Sequence, residues 1–178
     1  MAEVSAFERL TAYWRRLQDE TGGDVPARSG FNPARVVQIL PHIYLLKQID
    51  QATIEVRLCG TAIDELSGVP ITGKNYLDVC LPEERDYYRL VIHQSLASPC
   101  AMKLAQDVTY ASGRNLTLVS VAYPLADDDG IPRFLVGVTV PTQELRSNEL
   151  RNGPIVRSIS KRLEYVDIGF GVPGSVRT

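Results

Sequence analysis

The chain opens on apolar residues spaced three and four apart. Phe7, Leu10, Trp14 and Leu17 share one side of a helix, while Arg9, Arg15, Arg16 and Glu20 fall outside that stripe. Ser5 and Glu8 have the spacing of a capping box, and Gly22-Gly23 ends the helix. Two heptads cannot sustain an independent coiled coil, so the stripe must be buried either on this domain or on a second copy of the chain. Residues 25–29 read as an extended connection, because Val25 precedes a proline. Asn32-Pro33 predicts an N-cap with proline at the first helical position. The short helix it begins carries Val36, Val37, Ile39 and Leu40 and stops near Pro41.

From there the period becomes two. Residues 43–49 and 53–58 are strands joined by a short hairpin. In the second, Ile54, Val56 and Leu58 alternate with Glu55, Arg57 and Cys59, which predicts one buried face and one wet face. Gly60 ends it. Residues 61–67 can make a short helix, and Gly68, Pro70 and Gly73 forbid a long one. Residues 82–97 form a full helix, with Pro82 in its first turn and Glu83-Glu84 at the positive end of its dipole. Its apolar side is Tyr88, Val91, Ile92, Ser95 and Leu96. Pro99 closes it.

Met102, Leu104, Gln106, Val108 and Tyr110 then alternate with Lys103, Ala105, Asp107 and Thr109. Ser112-Gly113 and Asp127-Asp128-Asp129-Gly130 are turns, so residues 102–110, 116–122 and 134–140 make an antiparallel meander. The tail is polar from Thr142, then carries Ile155, Val156, Ile159 and Leu163 at helical spacing among Arg157, Lys161 and Arg162. Residues 169–174 are expected to fray. The fold class is therefore α+β, with a five-stranded antiparallel sheet flanked by helices and an added amphipathic helix at the start.

Composition narrows the function classes. At 178 residues the chain fits one domain with decorated ends, and 44% hydrophobic with 22% charged residues is a globular balance. Nineteen basic against 21 acidic residues give a net charge of -2, which lacks the concentrated positive charge that nucleic acid requires. No run of about 18 apolar residues is present, so no membrane insertion is expected. The start, Met-Ala-Glu-Val-Ser, has neither the basic nor the apolar region of a signal peptide. Cys59, Cys80 and Cys100 are odd in number and widely spaced, unlike a disulfide framework or a zinc site, and point to the reducing cytoplasm.

Strand, strand, short helices, long helix and three-strand meander is an order that resembles a PAS domain over residues 43–141. Gly60, Ile71-Thr72-Gly73-Lys74-Asn75 before the long helix and the Asp-Gly turn before the last strand carry the likeness. Leu10-Thr11-Ala12-Tyr13-Trp14, Pro26-Ala27-Arg28, Leu40-Pro41-His42-Ile43 and Cys59-Gly60-Thr61-Ala62-Ile63 are similar to a family of small bacterial single-PAS proteins. The resemblance implies three parts: a helical extension over 1–42, a PAS core over 43–141 and a tail over 142–178.

The resemblance also implies a ligand pocket between the sheet's inner face and the helices, with Tyr88, Ile92, Gln106, Tyr110 and Tyr123 as lining candidates. Haem would need His93 as its ligand. Its place at the edge of the Tyr88–Val91–Ile92 stripe argues instead for a surface histidine, and His42 only precedes the first strand. Flavin photosensors of this fold carry a cysteine directly after the asparagine, where this chain has Tyr76, with Cys80 four residues further on. No haem or flavin is therefore expected. The three cysteines read as packing residues, since a redox sensor wants an accessible low-pKa thiol and only Cys100 has a nearby cation, Lys103. The aspartates of 127–129 read as a solvated turn, so no metal is expected.

With no catalytic motif, the expected role is a non-enzymatic cytoplasmic sensory or regulatory module. It would bind a ligand and dock a regulatory protein, as a homodimer if Phe7, Leu10, Trp14 and Leu17 pair between chains. Two alternatives stand beside it. One is a small cavity enzyme of isomerase or hydratase type, which needs a buried carboxylate facing a tyrosine; Asp64, Asp78, Asp86 and Asp107 are available. The other is a PAS scaffold whose cavity is filled by side chains.

Overall fold

The computed structural model describes residues 5–143 and 153–174. The acidic first residues, most of the polar stretch after Thr142 and the last four residues lie outside that range. The capping box forms as the spacing predicts, opening helix α1 (Ala6–Glu20): the Ser5 hydroxyl accepts from Glu8 N–H at 3.2 Å, and the Glu8 carboxylate accepts from Ser5 N–H at 2.8 Å. Two 3-10 segments, Arg28–Gly30 and Pro33–His42, lead into β1 (Ile43–Gln48), which pairs with β2 (Ile54–Cys59). Helices α2 (Thr61–Ser67), α3 (Tyr76–Val79) and α4 (Arg85–Ala97) follow, with a 3-10 turn at Pro82–Glu84 replacing the first turn of the expected long helix. The meander is β3 (Ala101–Tyr110), β4 (Asn115–Ala126) and β5 (Pro132–Pro141).

The sheet runs β2-β1-β5-β4-β3-β6, antiparallel throughout. It therefore has six strands rather than five. The sixth, β6 (Ile155–Val166), is the segment whose apolar spacing suggested a helix. It lies along the edge of β3, and the pairing slips opposite Ala105/Gln106 and Thr109/Tyr110. Each slip puts an extra residue on β6 and resets its phase. Ile155, Ser158, Ser160, Leu163 and Tyr165 consequently all face inward, whereas Val156 and Ile159 of the expected helical row are exposed. A similar slip between Leu45 and Leu46 corrects the expected alternation in β2. Leu58 packs beside Leu45 on the outer face, and Cys59 joins the inner cluster.

The outer face is covered by the N-terminal helix of the same chain. Leu10, Trp14 and Leu17 of α1 pack with Val36 and Ile39 over Leu45, Val121, Tyr123, Val136 and Val138. The Trp14 indole N–H donates to Pro124 O at 2.8 Å, and its ring stacks on Tyr123 with centroids 5.0 Å apart. Leu10 and Trp14 have no exposed surface, and Phe7 is half-buried against the same cluster. The stripe of Phe7, Leu10, Trp14 and Leu17 is thus spent within the chain, which corrects the alternative in which it joins two copies. Burial on the nearest apolar sheet face removes the area that a dimer would have used.

Two sequence motifs far apart in the chain meet at the end of β2. Gly60 N–H donates to Ile43 O at 2.8 Å, and a Cβ on Gly60 would lie 2.2 Å from Leu40 O and 2.3 Å from Pro41 O. Only glycine lets these backbones approach. The Ile71–Asn75 motif closes the free edge of β2. Gly73, at φ 82°, donates to Val56 O at 2.7 Å, and Val56 N–H donates to Lys74 O at 2.9 Å. Asn75 then accepts from Ile54 N–H at 3.0 Å and Leu77 N–H at 3.3 Å, while its amide donates to Ala52 O at 3.1 Å. This clamp holds α3 to the hairpin and so fixes one wall of the space beneath.

Gly60→Ala should destabilise the fold by about 1–3 kcal/mol through overpacking, since φ of -74° at that position is open to alanine and only the space is missing. A urea midpoint equal to that of the parent would refute this contact. Trp14→Ala should cost about 3–5 kcal/mol, and a chain lacking residues 1–22 should lose its cooperative transition. A truncated chain that melts at the parental temperature would mean that the helix only decorates the sheet.

Candidate functional site

The inner face is not filled. A cavity of about 660 Å3 lies between the sheet and the helices. Inward residues of β1, β3 and β4 form its floor, among them Leu46, Met102, Leu104, Val108, Leu118 and Ala122. Val91 and Ile92 of α4 and Ile63, Leu66 and Ile71 from the α2 region form the opposite wall. Ile155, Ser158 and Leu163 bring β6 into the lining. The β6 wall is tied to α4 by Tyr87 Oη and Ser160 Oγ, 2.9 Å apart, and by the Tyr165 hydroxyl donating to Gln94 Oε1 at 3.0 Å.

Polar groups enter this apolar space at two places. On the floor, Tyr44 lies across its strand neighbour Gly137, and its hydroxyl meets Ser120 Oγ at 2.9 Å. A Cβ on Gly137 would lie 2.2 Å from that ring. Burial pushes the Tyr44 phenol up to about 12, with the Ser120 hydrogen bond opposing. At the corner between α4, β3 and β6, the Tyr88 hydroxyl donates to Gln106 Oε1. Glu84 and Ser158 stand beside this pair. Burial raises the Glu84 carboxyl above its ordinary value, and the nearby Ser158 hydroxyl works against the rise. Tyr88 is raised by burial and then by the neighbouring Glu84 charge. Tyr76, packed edge-on against Tyr88 with centroids 5.7 Å apart, is raised well above its ordinary value by burial.

Of the residues singled out in the sequence, Tyr88, Ile92 and Gln106 line the cavity together. Tyr110 faces inward but packs under α2, where its hydroxyl donates to Leu66 O at 2.9 Å. Tyr123 lies on the opposite face against Trp14, because it falls one residue out of phase with the inward Ser120 and Ala122. His93 is exposed and meets Gln48 Nε2 at 3.3 Å, and neither it nor His42 reaches the cavity wall. Tyr76 and Cys80 do reach it. Burial pushes the thiols of Cys80 and Cys59 up to about 12 and raises Cys100 as well, the reverse of what a reactive thiolate needs. Asp127 accepts from the N–H groups of Asp129 and Ile131 and pairs with Arg133 at 2.8 Å, an ordinary strand turn. Among the described residues no group of three or more His, Cys, Asp or Glu side chains could hold a metal ion.

The sequence reading did not single out Tyr44, Ser120, Glu84 or Ser158. Tyr44 and Ser120 are polar residues on the inward phase of apolar strands, a signal that was open to reading. Glu84 was read only as a dipole partner, and Ser158 was hidden by the helical assignment of the tail.

No curated protein matches this sequence. Among solved structures, the chain is similar to VqmA of Vibrio cholerae bound to DPO, at 15% identity and TM-score 0.49 over 66% of this chain and 58% of that one. It is similar to the PAS domain of BvgS from Bordetella pertussis at 22% identity and TM-score 0.48, over 65% of this chain and 88% of that one. A Rhodobacter sphaeroides LOV protein matches at 15% identity and TM-score 0.46, over 81% and 70%. The chain spans little more than half the length of the VqmA chain that it matches. Residues 2–140 fit the family model described as PAS domain, and with well over half of its length inside that match the chain belongs to the PAS domain family.

Proposed function

We propose that this chain is a non-enzymatic sensory module that holds a small ligand against the inner face of its sheet and signals through contact with a regulatory protein. The observation that carries the reading is the hollow interior. A scaffold with a filled cavity has no use for 660 Å3 of lined space, whereas small-molecule sites are concave, mostly apolar and furnished with a few polar groups. Membership of a family of sensory and regulatory domains points the same way. We assign it to the cytoplasm because Cys59, Cys80 and Cys100 are all unpaired. No helix among the described residues is long and apolar enough to cross a membrane.

A cavity enzyme of isomerase or hydratase type is the second reading. Glu84, with its carboxyl raised by burial beside Tyr88, supports it in place of the aspartates expected from the sequence. Asp78 reaches the wall but is solvent-exposed, and Asp107 is salt-bridged to Lys161 at 3.1 Å. The two readings differ in the fate of the ligand. A sensor returns it unchanged, and an enzyme returns product.

Native mass spectrometry of the purified protein should show a retained small molecule, whose NMR spectrum is unaltered after prolonged incubation with fresh protein. Ala122→Leu adds bulk at the cavity floor without touching the outer face. It should lower retention at least tenfold while shifting stability by less than about 1.5 kcal/mol, because the added methyls enter empty space. Full retention in that variant would place the ligand elsewhere. A changed spectrum would favour the enzyme.

A further inference from the structure

The corner of the cavity where Tyr88, Gln106, Ser158 and Glu84 converge holds hydrogen-bonding capacity that the protein itself does not use. Ser158 Oγ is buried and meets no partner at full hydrogen-bond geometry among the described residues, although it lies close enough to Glu84 and Tyr88 to oppose the rise of both. Gln106 spends its carbonyl on the Tyr88 hydroxyl, and no hydrogen bond of its Nε2 is found among the described residues. The Tyr88 oxygen keeps its lone pairs. A buried hydroxyl without a partner costs roughly 1–3 kcal/mol, so its persistence at a cavity wall points to a group that arrives from outside.

The charge at this corner is selective. Glu84 is half-buried and forms no ion pair among the described residues. The other ionised groups on the wall, Lys74 and Asp78, are solvent-exposed. An anionic head placed beside Ser158 would meet the Glu84 carboxylate with no buried cation to offset it. A cationic head would gain Glu84 and could donate to Ser158 Oγ, but it would leave the Gln106 amide N–H groups facing a group that cannot accept. A hydroxyl or carbonyl satisfies the corner on both counts, and the remaining wall is mostly apolar, with the Tyr44 and Ser120 hydroxyls already paired to each other.

We propose that the cavity takes an uncharged amphiphile, an apolar body bearing a hydroxyl or carbonyl head that is received by Gln106 and Ser158 and screened for charge by Glu84. This rests on the reading of the cavity as a ligand site and adds the ligand's chemical class. The selectivity works through a repulsive element as much as an attractive one.

The test uses three probes of equal chain length, 1-decanol, decanoate and decylammonium, titrated into the full chain at neutral pH and followed by calorimetry. Decanol should bind at least tenfold more tightly than either charged probe. Ser158→Ala and Gln106→Leu should each weaken decanol about fivefold or more, and two sites guard against one variant failing to fold. Glu84→Gln should bring decanoate to within a few-fold of decanol. Equal or tighter binding of decanoate or decylammonium by the parent overturns the assignment of head chemistry and leaves the cavity as a ligand site. An unchanged decanoate affinity in Glu84→Gln removes Glu84 as the screen and overturns it equally. Failure of all three probes to bind the parent overturns the amphiphile assignment, while the ligand-site reading itself falls only if native mass spectrometry also finds no retained molecule.

Discussion

A six-stranded sheet has two faces to take out of water, and this chain gives them different coverings. On the outer face, Trp14 seats α1 against Tyr123 with its one polar atom satisfied by Pro124 O, so the helix buries an aromatic pair without stranding a donor. The cluster that results holds Leu10, Leu17, Ile39, Leu45, Val121, Leu125, Val136 and Val138. A second cluster, with Leu46, Ile54, Val56, Val91, Ile92 and Leu135 among its buried residues, packs the inner side around the cavity. With a core on both faces, the fold tolerates the packing lost to the cavity.

On the inner side, strands and helices meet through a buried apolar cluster and through polar contacts around the cavity. Tyr87 with Ser160, Tyr165 with Gln94 and Tyr88 with Gln106 bridge from α4 to β6 and β3. Each joins a tyrosine to a serine or glutamine across a gap that apolar residues would otherwise have to close. Tyr44 does the same on the floor by reaching over Gly137 to Ser120. Tyrosine suits this use because its ring provides apolar wall and its hydroxyl fixes the ring's position. The walls are therefore held in place while space is left between them.

Much of the fold was legible because local pattern and tertiary environment agreed. The α4 stripe of Tyr88, Val91, Ile92, Ser95 and Leu96 was read correctly, and all five residues are buried. The meander followed from turn chemistry at Gly113 and Gly130, both at positive φ. The errors in β6 and β2 share one cause, a change of phase within a strand. In β6 the row that suggested a helix mixes inward Ile155 and Leu163 with outward Val156 and Ile159 across two slips, and in β2 one slip moves Leu58 to the other face. Periodicity assumes an unbroken ladder, and bulges depend on the partner strand. Tyr123 failed for a simpler reason: β4 is apolar on both phases, so alternation carries no information about which side a residue faces. The corner at Ser158 was out of reach for the same reason as β6 itself.

The contact of Gly60 with the carbonyls of Leu40 and Pro41 bears on how related sequences should be compared. The obstruction is backbone, so no compensating change of side chain at 40 or 41 can make room for a Cβ at 60. An invariant glycine at this position across a family would therefore record the route of the chain and say nothing about its ligand. Variation with meaning for ligand choice belongs to positions such as 84, 106 and 158, whose side chains are free to change without moving the main chain. Relatives that share the glycine and differ at those three would be expected to answer to different molecules on the same frame.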